Sequence, residues 1–555
     1  SGQAEGVISK NQEWFMAEVF DVVKGLQHPL LENLEESKYG SATPADAMNV
    51  IYGAPEVRVV DGHTLLFVQG QHFESGEGTV ALIKVDIAAK RSVIIEDGAP
   101  STADWLVDAA GKPVAETRYE ETSGKWSLRI RKPDGNWMLS RSVVAPIDPP
   151  GLGGLGRDGK SVVVRILEDG KSVLHEVSTT DGAWGPPIAD PYDELIHDGT
   201  THALVGGMDL EGDELTYAYF DPARQKHWKA VTKAFPGEQV TLVSASADAN
   251  KLVVLVDGPK DGAAFSLVDL NTKHADWIGD QYDQVTPNDI AEVRAISYKA
   301  ADGVEISGYL TLPRGKPAKD LPLVVLPHGG PAARDTPGFE WWSQALASRG
   351  YAVLRPNFRG SSGLGADLLE AGYGQWGRKM QTDLSDGVRY LAGQGLIDPK
   401  RVCVVGASYG GYAAMAGPTL DPGVYRCAVA VSGISDLKRF LKWRQGYFDS
   451  KNNMIERYWD RFLGVKADND PMLDTLSPAR LANRVTVPML LIHGKDDTVV
   501  PYEQSQIMAD ALTRAGKPVT LVTLAHEDHW LSRSETRLQM LTATVAFLEA
   551  NNPPN

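Results

Sequence analysis

The chemistry in this chain is most visible in the pentapeptide Gly406-Ala407-Ser408-Tyr409-Gly410. It follows the apolar run VCVV and precedes the helix-forming stretch Gly411-Tyr412-Ala413-Ala414-Met415. A serine in that context is expected on a tight strand-to-helix turn, its Oγ projecting and its flanking glycines making the turn sterically possible. A serine hydroxyl is a poor nucleophile until a base removes its proton, so an acid and then a histidine should follow. The acid comes in His493-Gly494-Lys495-Asp496-Asp497-Thr498-Val499-Val500-Pro501, after the run PMLLI, and the base in Ala525-His526-Glu527-Asp528-His529-Trp530, after PVTLVTL. Spacing alone does not choose between Asp496 and Asp497, and it separates His526 from His529 only weakly. An oxyanion needs donors as well. Backbone N–H groups at the helix start after Ser408, that of Tyr409 first, and the N–H of Gly329 in His328-Gly329-Gly330-Pro331 are the candidates. The expected reaction is hydrolytic acyl transfer through an acyl-serine.

The elements that must position these groups differ between the two halves of the chain. Up to about residue 285, a turn containing Asp, Gly or Asn is followed by a short alternating apolar run. The instances are Asp61-Gly62, Asp108 to Gly111, Asp158-Gly159, Asp198-Gly199 and Asp248 to Asn250, recurring roughly every 40 to 50 residues. Hairpins at that period predict a β-propeller of four-stranded blades. Five blades are marked. Segment 1–55 is expected to add a partial blade, or a helix through NQEWFMAEVFDVV, and a ring of this type often closes with seven. Gly151-Leu152-Gly153-Gly154-Leu155-Gly156 fits G-x-G-x-x-G by letter but precedes the strand RDGKSVVV instead of opening a helix, and is read as a blade-joining loop.

From about residue 286 to 555, short continuous Val/Leu/Ile runs alternate with helical segments, among them FEWWSQALASRG, DLSDGVRYLAGQG and YGGYAAMAG. Strands apolar on both faces predict a mostly parallel sheet with helices on both faces, an α/β-hydrolase domain whose chemistry sits beyond the carboxyl ends of the strands. Cys403 in RVCVVG and Cys427 in YRCAVAVSG are read as free, buried small hydrophobes, with no disulfide. HEDH at 526–529 is not H-E-x-x-H and lies at a strand end, so neither a metal nor any cofactor is expected.

The motifs PHGGP at 327–331, PNFRGSSGLG at 356–365, GASYGGY at 406–412, HGKDDTVVP at 493–501 and EDHW at 527–530 give the second half a resemblance to the prolyl oligopeptidase family, and within it to the acylaminoacyl peptidase-like branch. The first half matches only in architecture and position. The resemblance implies a serine peptidase acting on short peptides, with Ser408 as nucleophile, Asp497 as acid, His529 as base, and Tyr409 and Gly329 as backbone oxyanion donors. Prolyl oligopeptidase proper and dipeptidyl peptidases place a tyrosine hydroxyl where this chain has His328, a departure from those two branches. The aromatic insertion Phe440, Trp443, Tyr447, Phe448, Tyr458, Trp459 and Phe462 lies near the family's side-chain pocket, and His328 and Tyr412 join Phe440, Trp443 and Tyr447 as candidates for it. Helix packing is an equal reading of these rings. Glu35-Glu36 imitates the amino-terminus anchor of dipeptidyl peptidases but is read as a solvated face. Arg359 and Asp383 are expected to pair behind the site.

Composition narrows the partners. At 555 residues, 43% hydrophobic and 23% charged, the chain is long enough for two domains. A net charge of −17 would repel a phosphate backbone, which excludes nucleic acid as an expected partner. No apolar run reaches the roughly 18 residues of a membrane span. SGQAEGVISK lacks the pattern of a signal peptide, and a soluble protein of cytoplasm or periplasm is expected, since a processed secreted chain would look the same. Homo-oligomers are compatible with all of this. An esterase or a specialised isopeptidase could use the same triad, and a propeller-based binding protein with an inert hydrolase domain is the reading without catalysis.

Overall fold

The structure is a computed structural model that describes residues 16–31, 34–36, 47–74, 77–188, 192–258, 262–445 and 453–554. The first half forms five blades. Blade one pairs Ala47–Val60, His63–Glu74, Glu77–Asp86 and Arg91–Glu96 in order, with Leu34–Glu36 parallel to the last. Blade two is Thr102–Val107 to Trp137–Val144, blade three Gly151–Leu155 to Trp184–Pro187, blade four Glu194–His197 to Glu214–Tyr219, and blade five Gln239–Ala245 to His274–Asp280.

Each of the five turns found in the sequence closes the first hairpin of one blade, and four of their aspartates have a shared reason to be there. Asp108 Oδ1 accepts from the N–H of Ala110 and Lys112 at 2.9 and 2.8 Å. Asp158 does the same for Lys160 and Ser161, Asp198 for Thr200 and Thr201, and Asp248 for Asn250. The carboxylate satisfies donors that a tight turn leaves unpaired. Apolar residues bridge neighbouring blades, as in Trp126, Leu128, Val162 and Val164 between blades two and three.

The described residues hold five blades, one for each marked turn. Three expectations are corrected here. Blade four has three strands, and the helix Pro222–Lys233 follows them, its Trp228 and Val231 buried against Tyr217, Val240 and Val254. In NQEWFMAEVFDVV, whose first five residues lie outside the described ones, Glu18–Asp21 is a strand paired with Leu26–Pro29; Asp21 caps the turn by accepting from Val23 and Lys24. Gly151–Leu155 is itself the first strand of blade three, not a joining loop. Its glycines admit blade four: a Cβ on Gly153 would stand 2.7 Å from Leu195 Cδ1, and one on Gly154 2.5 Å from His197 Nε2.

The second half is built on one eight-stranded sheet: β1 (Val293–Lys299), β2 (Glu305–Thr311), β3 (Leu321–Val325), β4 (Ala352–Asn357), β5 (Ile397–Ala407), β6 (Cys427–Val431), β7 (Met489–Gly494) and β8 (Val519–Leu524). The order is β1-β2-β4-β3-β5-β6-β7-β8, antiparallel as far as β2-β4 and parallel from β4 onward. Alternate residues enter two different cores. Leu323, Val325, Val402, Val404, Ala428 and Leu491 face one, with helices α2 (Lys379–Gly393), α3 (Tyr409–Leu420) and α6 (Glu503–Arg514). Val324, Val405, Val429, Val431, Leu490 and Ile492 face the other, with α1 (Trp341–Ser348) and α7 (Ser534–Asn551). Burial on both faces is why these runs do not alternate with polar residues.

The cysteines are a further correction. Cys403 on β5 and Cys427 on β6 are direct register partners, Cα atoms 4.7 Å apart, and form a disulfide. Two side chains on the same face of adjacent strands lie within bonding reach. No helix among the described residues is long and apolar enough to cross a membrane.

The propeller meets the carboxyl-end loops of the sheet. After β3, Arg334 Nη2 donates to Gly212 O of blade four at 2.6 Å, and Phe339 N donates to Asp257 of blade five at 3.0 Å. After β6, α4 (Leu437–Gln445) and α5 (Met454–Leu463) form an insertion. Its Arg457 donates to Pro146 O at 2.7 Å and to Tyr119 Oη at 3.0 Å, and its Arg461 pairs with Asp148 at 3.0 Å, all in blade two or the segment after it.

Candidate active site

Ser408 stands between the last residue of β5 and the first of α3, with φ 58° and ψ −118°. A non-glycine residue rarely adopts positive φ, and here the surroundings enforce it. A Cβ on Gly406 would lie 2.5 Å from Gly410 O, one on Gly410 2.2 Å from Pro327 O, and one on Gly411 2.6 Å from Val431 O. The three glycines let β5, α3 and the strand ends of β3 and β6 come together around the serine. Ser408 N donates to Val431 O at 3.0 Å, which ties the turn to β6. Gly329 lies alongside: a Cβ placed on it would be 3.5 Å from Ser408 Cβ. The first-turn N–H groups of a helix have no intrahelical acceptor, so α3 offers partial positive charge next to Ser408.

The strand ends of β7 and β8 carry the second part. Asp497 is buried, 6% exposed, and its Oδ2 accepts from His529 Nδ1 at 2.8 Å. Its Oδ1 accepts from Val499 N and Val500 N at 3.0 and 2.8 Å. Burial by itself would raise this carboxyl, but the donors on His493 and His529 outweigh it and hold Asp497 below the usual carboxylate range. With Nδ1 of His529 donating to Asp497, Nε2 of the neutral ring is the free acceptor. Asp496 and His526 approach each other only to 3.7 Å, with side chains 37% and 79% exposed. The pairs left open by spacing therefore stand in different surroundings.

The His529 loop is anchored from below by Glu527, which is fully buried. Its carbonyl accepts from Asp496 N at 3.0 Å, its Oε1 from Asp528 N at 3.0 Å, and its Oε2 from Thr536 Oγ1. Trp530 sets its ring edge-on to His529 at 5.3 Å and is 64% exposed at the surface of the site.

The pocket candidates divide. Tyr412 and Phe440 are fully buried core residues, and Tyr412 donates to Leu476 O at 2.8 Å, so neither presents a surface to a ligand; the packing alternative accounts for both. Trp443, Tyr458 and Trp459 are partly buried against the same core, and Phe462 is buried in it. Tyr447 and Phe448 lie outside the described residues. His328 stacks on Phe358 at 4.4 Å, and its ring nitrogens are engaged by Gly329 O at 2.7 Å and Ser361 Oγ at 2.9 Å. Burial pushes its pKa down. It braces the loop that carries Gly329. A cavity of about 260 Å³ opens between α4 and α5, lined by Leu441, Arg444, Ile455, Trp459 and Asp460.

Arg359 does pair with Asp383, by two bonds of 2.7 and 2.8 Å, and also with Asp302. Glu35-Glu36 falls in the strand Leu34–Glu36, its side chains outside the described residues. Sequence reasoning passed over His493 and Glu527. For His493 a signal existed, since it stands four residues before Asp497 at the end of a buried strand.

Residues 337–552 match the model of the prolyl oligopeptidase family. Dipeptidyl aminopeptidase BIII of Pseudoxanthomonas mexicana is 27% identical over 501 residues, covering 84% of this chain and 69% of that protein. The acylamino-acid-releasing enzyme of Homo sapiens is 28% identical over 259 residues, 45% of this chain and 34% of that one, so the chain spans about a third of that relative's length. A puromycin-hydrolyzing peptidase of Mycobacterium tuberculosis shares the fold with a TM-score of 0.72 over 96% of this chain and 82% of its own, at 21% identity. The Pyrococcus horikoshii acylaminoacyl peptidase does so with a TM-score of 0.69 over 97% and 85%, at 17% identity.

Proposed function

We propose that this chain, whose residues 337–552 match the model of the prolyl oligopeptidase family, is a serine peptidase that hydrolyses short peptides with Ser408 as nucleophile, His529 as general base and Asp497 orienting the histidine. The observation that carries this reading is the 2.8 Å bond from His529 Nδ1 to a buried Asp497, which leaves Nε2 free for the serine proton. His529 takes that proton as Oγ attacks the scissile carbonyl, and the oxyanion is held by the backbone N–H groups of Tyr409 and Gly329. The proton then passes to the leaving amine, and water repeats the sequence on the acyl-serine.

The propeller's bonds to the loops after β3 and β6 favour short substrates, because a folded protein cannot bring an extended strand to a serine roofed in this way. The test is a peptide series of increasing length, each with free and with acylated amino terminus, alongside simple esters and an unfolded protein. Cleavage confined to short peptides, blocked ones included, is expected. Turnover of free amino termini alone would move the reading to a dipeptidyl aminopeptidase, and of esters alone to an esterase. Equal rates per bond at all lengths would remove the role of the propeller in size selection.

A further inference from the structure

We propose that His493 is a positioning residue for this reaction: a buried imidazole, itself held by Ser505 and Val500, whose N–H lies against the Asp497 carboxylate and so helps fix the partner of His529. The inference rests on the triad reading above. His493 lies in β7 with no exposed surface. Its Nε2 is 2.8 Å from Val500 O and 3.3 Å from Asp497 Oδ2. A carbonyl oxygen can only accept, so Nε2 carries the proton; its hydrogen bond goes to Val500 O, and the carboxylate oxygen lies beside the same polar N–H. In the neutral ring Nδ1 then accepts, and Ser505 Oγ on α6 donates to it at 2.7 Å.

Asp497 thus accepts from His529 on one oxygen, with the His493 N–H beside that same oxygen, and from the N–H groups of Val499 and Val500 on the other. It cannot rotate without giving up several donors at once. Tyr502 sets its ring edge-on to His493 at 5.7 Å, and its own face carries Lys495 Nζ at 4.1 Å. Packing alone would be served by an apolar side chain; a ring with both nitrogens engaged in a fully buried site is there for its hydrogen bonds. Without the His493 donor, more of the carboxylate's charge falls on His529 and favours its protonated form.

The experiment measures the rate of Ser408 acylation by a fluorophosphonate between about pH 5 and pH 9, with thermal melting of each variant, for His493→Ala, His493→Gln, Ser505→Ala and Asp497→Asn. His493→Ala should slow acylation by about 10- to 100-fold, with the reagent's half-saturating concentration little changed and the acid limb of the profile moved to higher pH. Gln, which restores an N–H near the Nε2 position, should recover most of the rate. Ser505→Ala should shift the limb in the same direction by less. A folded His493→Ala with wild-type rate and limb, beside an inert Asp497→Asn, overturns the proposal and spares the triad. An active Asp497→Asn overturns the triad and with it the proposal. If His493→Ala does not fold, an unmoved limb in Ser505→Ala overturns it.

Discussion

Both halves of the molecule place non-glycine residues in the left-handed region, but for different ends. In the propeller these are Asp61, Lys90, Asp169, His202, Ala249 and Lys273, every one at the tip of a hairpin. In the catalytic half Asp320 precedes β3, whereas Ser408, Ser432 and His526 stand at or just after the carboxyl ends of β5, β6 and β8, with Leu531 further along the loop that carries His529. A hairpin tip is mostly open to water, and nothing lies within 4 Å of a Cβ placed on its neighbouring glycine in the cases of Gly62 and Gly170. The turn at Ser408 is closed by backbone on several sides. Strain at a hairpin tip stays local, whereas strain at a strand end is held by the packing of a whole sheet and holds functional atoms in place.

The largest test of that contrast is Ser408→Ala, expected to lower peptide turnover by about a thousandfold or more while melting like the wild type. Retention of a tenth of the activity would take Ser408 out of the mechanism. Asp497→Asn should cost several hundredfold or more, since the histidine loses its orienting acceptor, and Asp496→Asn less than about threefold; the opposite ranking would move the acid by one residue. Asp497 also carries a stability signature. Its pKa is depressed on folding, so its contribution is present above the unfolded value of about 4 and is lost as pH falls through the lower folded value. The melting difference between wild type and Asp497→Asn should therefore shrink in acid.

Gly410→Ala comes next, placing a methyl 2.2 Å from Pro327 O. It should destabilise by about 1–3 kcal/mol and lower turnover together, read by melting and by rate. Lys90→Gly, at a hairpin tip, should change stability by no more than about 0.5–1 kcal/mol and leave turnover alone. If the two glycine-site changes proved alike, the contrast between local and sheet-held strain would fail.

The same contrast explains what could be read from the sequence. Hairpin turns are local, so the Asp-containing turns marked all five blades, and Gly406 to Gly410 marked a strand-to-helix turn. Facts that depend on which strands become neighbours were not local. Cys403 and Cys427 form a disulfide because β5 and β6 are adjacent and in register, which neither run reveals alone. The helix Pro222–Lys233 escaped notice because its pattern, with Trp228 and Val231 as its buried residues, is sparse. Tyr412 and Phe440 were indistinguishable from pocket residues until their surroundings were known. Asp497 and Asp496 are adjacent carboxylates in the sequence, and only the fold buries the first beside His529 and the N–H groups of Val499 and Val500 while leaving the second partly exposed near His526.

The segment after β3 joins two duties. Gly329, beside Ser408, and Arg334 and Phe339, bonded to blades four and five, lie within one short stretch of chain. Drawing the propeller away to admit a peptide would pull on the same stretch that carries a proposed oxyanion donor. If the propeller moved in that way, entry and competence would be mechanically opposed: the stretch beside Ser408 would be least well held when the molecule was most open.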